Sequence, residues 1–148
     1  MQRTLPTQTL FNQYKAKCLN VLNESLAWNI AKLPNNTLEL QINKYYEEIN
    51  EAVEAEGIDY QHQIMELADV LISIGGMARF DEALAKEMFD NFIGCIDKYT
   101  FMDVIDYAEK KIHILYEREY KDFFCCISDY FTNYCNTREE CFDKKSYK

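Results

Sequence analysis

The sequence predicts an all-α protein, a helical bundle of four to five helices, and three observations carry that expectation. Only four Gly and two Pro occur in 148 residues, with both Pro in the first 34, which is too few breakers for a many-turned β fold. Apolar side chains recur at three- and four-residue steps. Capping residues stand where several of those stripes begin. The length fits one domain over residues 1–148, with a core over about 8–120 and an aromatic, Cys-rich extension over about 121–148. A chain of this size buries enough surface to fold without a disulfide or metal staple.

The first helix is expected from about Thr7 to Lys32, with Leu10, Tyr14, Cys18, Val21, Leu22, Ser25, Trp28 and Leu33 on its apolar face. The segment LPNN ends it, because Pro disfavours helical geometry in the residue before it. A second helix starts near Asn36 or Thr37, where Asn36 and Glu39 resemble a capping box. Its stripe is Leu38, Ile42, Tyr45, Ile49, Ala52 and Val53, and Gly57 suits its end. Asp59 is a good N-cap for a third helix lined by Ile64, Leu67, Ala68, Leu71, Ile74 and Ala78. Gly75 and Gly76 fall late in it, where a glycine pair serves close packing or a kink. Asp81 opens a fourth helix, EALAKEMFDNFIGCIDKY. Thr100 with Asp103 forms a second capping-box signal before FMDVIDYAEKKIHILYEREYKDFF, and the remaining CCISDYFTNYCNTREECFDKKSYK reads as a short further helix and a frayed end.

Charge narrows the partners. A net charge of −9 points away from nucleic acid and anionic membrane, which attract Lys and Arg clusters. A small phosphorylated ligand stays open, since bound cations can bridge two anionic partners. The N-terminal residues MQRTLPTQTLFNQYKAK lack a signal peptide's apolar segment. No apolar run is long enough to span a bilayer, so a cytoplasmic protein is expected. The six Cys, at 18, 95, 125, 126, 135 and 141, follow no zinc spacing and are read as free thiols.

The chemistry concentrates on the second and third helices. Glu48 and Glu51 are three apart, as are Glu66 and Asp69, and each pair therefore points from one helix face. A short loop makes the two helices an antiparallel hairpin, so the pairs are expected to face each other at the edge of the buried seam. Four clustered carboxylates repel one another unless a positive charge joins them. A hard divalent cation with oxygen ligands, Mg²⁺ or Mn²⁺, is the natural partner. A di-iron site needs two Glu-x-x-His motifs, and neither His62 nor His113 follows a Glu by three. His62, four before Glu66, is a secondary contact at most, and Glu54 and Glu56 read as solvated charges.

These residues resemble a known group. Glu47-Glu48-x-x-Glu51, fourteen residues, then Glu66-x-x-Asp69 is similar to the EExxE…ExxD signature of the all-α NTP pyrophosphohydrolases, which include MazG-like proteins and dimeric dUTPases. ELADVLISIGGMARF resembles the helix bearing the second motif, and LAWNIAK the Trp-bearing first helix, so the likeness covers about residues 10–120. The resemblance implies Mg²⁺-dependent cleavage of a (d)NTP between the α and β phosphates. It makes Glu48, Glu51, Glu66 and Asp69 the metal ligands, and Glu47 a further ligand or the orienter of the attacking water. It implies phosphate contacts from Lys111 and Arg118, base contacts from Trp28 and Asn29, and a homodimer or homotetramer. Leu115 stands where the family carries Asn, a departure for which Lys110 or Lys44 are the available substitutes. Two non-enzymatic readings stand beside this one. One is a nucleotide- or metal-binding module without turnover, and the other a helical interaction protein whose carboxylates are only surface.

Overall fold

A computed structural model describes the backbone of residues 7–125 and the side chains of residues 7–114. Five helices follow in order: α1 (Gln8–Lys32), α2 (Leu38–Ala55), α3 (Tyr60–Met77), α4 (Glu82–Gly94) and α5 (Lys98–Cys125). Among the described residues there is no strand, and no helix is long and apolar enough to cross a membrane. The chain divides into a unit over Met1–Ile112 and a second over His113–Lys148. The side chains of Leu115, Arg118 and the cysteines at 125, 126, 135 and 141 lie outside the described residues, as does the short helix expected near the end of the chain.

Side-chain oxygens start the helices. Thr7, Thr37, Asp59 and Asp81 accept the amides of Leu10, Leu40, His62 and Leu84, each satisfying a donor that has no partner inside the helix. Two start signals were displaced. The α2 cap is Thr37 rather than Asn36, so the third residue on is Leu40 and no capping box with Glu39 forms. At α5 the cap is Asp97, which accepts the Thr100 amide at 2.8 Å. Thr100 therefore lies one turn inside α5, and α4 ends at Gly94, earlier than the apolar run suggested.

α3 is the central element, packed on α1, α2 and α4. From Val70 to Met77 all but one of its residues are buried, as expected of a helix that is apolar nearly all round. The two glycines account for the tight fit. A Cβ on Gly75 would stand 2.6 Å from Ser25 Cβ and 2.7 Å from the Leu22 carbonyl oxygen, and one on Gly76 2.5 Å from Asn29 Nδ2. The pair thus serves close approach of α1 to α3, and Ser25, 1% exposed, is the small residue on the other side. From α5, Phe101, Val104, Ile105, Ala108 and Ile112 are buried, and the Phe101 ring meets Phe11 edge-on at 5.3 Å.

The inward face of α2 keeps Tyr45 and Ala52 of the expected stripe, with Ile42 and Ile49 half-buried, but it is turned toward Gln41 and Glu48 and leaves Leu38 and Val53 outside. Its buried residues are Gln41, Tyr45, Glu48, Ala52 and Ala55, while Leu38, Leu40, Tyr46 and Val53 are exposed. The reason is that the seam with α1 and α3 is polar at that point. Gln41 Nε2 donates to the Ser73 carbonyl at 2.9 Å, and its Oε1 accepts from Asn29 and Asn36 at 3.1 and 2.7 Å. Arg79 completes the network by donating to Asn29 Oδ1 at 2.9 Å and to the Asn29 and Leu33 carbonyls at 3.0 and 2.7 Å. The Asn29 carbonyl also accepts the Leu33 amide and the Leu33 carbonyl the Asn36 amide, each at 3.0 Å, so Arg79 adds a second donor to oxygens at the end of α1.

Candidate functional site: a three-carboxylate cluster

Seven residues, or two turns, separate Gln41 from Glu48 on α2, so both sit on the same buried face about 10 Å apart. α3 runs antiparallel to α2: Gln41 meets Ser73, and further along α2 Glu51 approaches Glu66. This hairpin brings one carboxylate oxygen each from Glu48, Glu51 and Glu66 within 4.8 Å of one another. They form the cluster of metal-ligating type found among the described residues.

The three members differ in environment. Glu48 lies within the seam, 6% exposed, rather than at its edge. Its Oε2 meets Lys44 Nζ at 2.8 Å, whereas its buried Oε1 has no hydrogen-bond partner. Burial, aided by Asp69 and Glu51, raises the Glu48 carboxyl above the ordinary range although Lys44 opposes it. Glu66 also has a buried, unpartnered Oε1, and its Oε2 is 3.7 Å from His62 Nε2. Glu51 is the exposed member, and partial desolvation followed by the nearness of Glu66 raises its carboxyl too. A buried carboxylate oxygen with no donor is costly. Glu48, Glu51 and Glu66 together offer a set of carboxylate oxygens that could hold a metal ion.

Asp69, expected as a fourth ligand, is not part of the three-oxygen group. Lys111 of α5 hydrogen-bonds to its Oδ1, with both side chains about a quarter exposed. Burial works against the Lys111 ammonium, yet Asp69 and Glu48 outweigh it and hold the group above its ordinary value. Glu47 is 60% exposed and pairs with Lys44 at 3.7 Å, so it stands beside the cluster and does not enter it. Lys110 is exposed.

The two residues expected to touch a base are placed differently. Asn29 is 5% exposed, and both its side-chain atoms are engaged with Gln41, Asn36 and Arg79. Its amide is thereby committed to holding α1, α2 and α3 together. Trp28 is half-buried with an unpartnered, buried Nε1. Cys18 is fully buried, with its thiol pushed up to about 12 by burial, and neither it nor the exposed Cys95 joins the cluster.

Sequence reading gave Lys44 little weight and passed over Gln41 and Arg79. Spacing carries a signal for the first two, since Lys44 precedes Glu48 by four and Gln41 by seven. Arg79 carries none, because its partners lie 45–50 residues away.

The chain matches no protein-family profile, no curated protein and no solved structure. Fold and site together define a helical protein with three glutamates gathered between two antiparallel helices, a group that can hold a metal ion.

Proposed function

We propose that the protein is a Mg²⁺-dependent nucleotide pyrophosphohydrolase that splits a (d)NTP into (d)NMP and pyrophosphate. The observation that supports this most is Glu48, a buried carboxylate that has one unpartnered oxygen and offers an oxygen within 4.8 Å of one from each of Glu51 and Glu66. The EExxE…ExxD likeness supplies the reaction, and it implies work on a cytoplasmic nucleotide pool by a homodimer or homotetramer. The outward apolar residues Leu38, Leu40, Tyr46 and Val53 of α2 support association.

In this reading Glu48, Glu51 and Glu66 hold the ion, with Mn²⁺ able to replace Mg²⁺, and Asp69 lies alongside. The ion would neutralise charge on the phosphates and acidify a bound water. The protein's own groups supply position and charge. Lys111 would provide a cation beside the carboxylates, and Glu47, exposed next to Glu48, would orient the attacking water.

A second reading, a metal- or nucleotide-binding module without turnover, is favoured by Leu115 in place of the family Asn. Pyrophosphate release from a panel of NTPs and dNTPs with Mg²⁺ separates the two. Release by the native chain, absent in Glu48→Gln/Asp69→Asn, is the expected result. Silence across the panel from folded, metal-loaded protein favours the binding module, and Leu115→Asn is then the variant to assay for gained turnover.

A further inference from the structure

Lys44 already occupies one side of the cluster. Its Nζ is 2.8 Å from Glu48 Oε2 and 3.7 Å from Glu47 Oε1, yet its side chain is 55% exposed. The carboxylate it neutralises is fixed in the core, 6% exposed, with its other oxygen unpartnered. The two halves of this ion pair therefore differ in freedom. Glu48 cannot leave without opening the α2–α3 seam, whereas Lys44 needs only a change of rotamer on a flexible stem to reach water. A dication at the three oxygens and an ammonium on the same carboxylate repel each other, and the mobile charge is the one that yields.

We propose that Lys44 is a displaceable place-holder: it neutralises Glu48 until a divalent cation takes the Glu48–Glu51–Glu66 position, and once released it binds a phosphate oxygen of the anionic ligand that the cation brings. The inference rests on the metal-centre reading given under Proposed function. It distinguishes Lys44 from Lys111, whose partner Asp69 lies outside the three-oxygen group and whose side chain is 23% exposed. It also explains why an acidic chain spends a lysine on a carboxylate that is otherwise ready for a metal.

The experiment measures Mn²⁺ binding to the full chain by electron paramagnetic resonance. Binding of the 1:1 complex of Mn²⁺ with inorganic tripolyphosphate is then measured by calorimetry. Lys44→Met is compared with the native chain, Lys44→Arg serves as the conservative variant, and Lys44→Gln stands in should the Met form misfold. With Lys44 removed, free Mn²⁺ binds about fivefold tighter, because a competing charge is gone. The Mn²⁺–tripolyphosphate complex binds at least about fivefold weaker, because a phosphate contact is gone. Lys44→Arg restores both toward the native values. Mn²⁺ affinity that is unchanged or weaker in folded Lys44→Met overturns the place-holder and leaves the metal centre standing. Tighter Mn²⁺ with undiminished tripolyphosphate binding overturns the phosphate role. Failure of the native chain to bind Mn²⁺ at all overturns the metal centre, and the place-holder with it.

Discussion

Replacing Glu48 with Gln changes stability in opposite directions with and without metal. In the metal-free protein Glu48 carries a charge at a site that is 6% exposed, with Oε1 unpartnered and Oε2 opposed only by Lys44. Gln has nearly the same shape, removes the repulsion from Glu51 and Asp69, and presents an amide that can donate to Glu66 or Glu51. The loss is the Lys44 pair, and Lys44 is 55% exposed, so its ammonium returns to water at small cost, under about 1 kcal/mol. Relief of an unpaired buried oxygen is worth about 1–3 kcal/mol. The net expectation is a gain of about 1 kcal/mol, or roughly 4 °C in melting temperature for a domain of this size. With metal the order reverses, since an ion at 100 times its dissociation constant stabilises the native chain by about 2.7 kcal/mol, and the variant has lost its central ligand. The assay is thermal unfolding followed by circular dichroism at pH 7.5, once in EDTA and once in millimolar Mn²⁺. A Glu48→Gln chain that melts below the native one in EDTA would refute the reasoning. Glu48 would then be a structural partner of Lys44 and not a ligand held ready.

Acidity should act through the same groups. Glu48 and Glu51 both titrate above the ordinary carboxylate value in the folded chain, so the folded state holds their protons more tightly than the unfolded one. Their ionisation therefore disfavours folding, and their contribution worsens as pH rises from the unfolded value, about 4.3, through the raised folded values. In EDTA the melting advantage of Glu48→Gln over the native chain should shrink as pH falls through the raised folded value toward the unfolded one, because a protonated Glu48 is neutral; an advantage that grows as pH falls would contradict the direction of the shift. At the α1–α3 contact, Gly75→Ala would put a Cβ 2.7 Å from the Leu22 carbonyl oxygen. It should cost about 1–3 kcal/mol by overpacking. Gly94→Ala meets nothing within 4 Å and should be neutral or stabilising by up to about 1 kcal/mol, a contrast that denaturant unfolding of the two variants measures.

Much of the architecture was legible along the chain. Thr7, Asp59 and Asp81 mark helix starts because an N-cap is a contact between a side chain and an amide three residues on, and such a contact is written locally. The i, i+3 spacing that gathers Glu48 with Glu51, and the short loop that folds α3 back along α2, are local in the same sense. Where several caps compete locally, sequence alone left the choice open between Asn36 and Thr37 and chose Thr100 where Asp97 caps.

Sequence by itself thus determined an all-α chain with its acidic pairs on two adjacent helices. Only tertiary structure decided which face of α2 turns inward, and with it that Glu48 is buried within the seam, that Asn29 is engaged by Gln41 and Arg79, and that Lys111 holds Asp69. The physical reason is that a hydrophobic stripe describes what one helix prefers to bury, while a buried polar side chain requires a partner. Those partners, Ser73 for Gln41 and Asp69 for Lys111, lie 32 and 42 residues away along the chain. Local periodicity does not contain them, and packing against the glycine face of α3 brings α1 close enough for the polar seam to form.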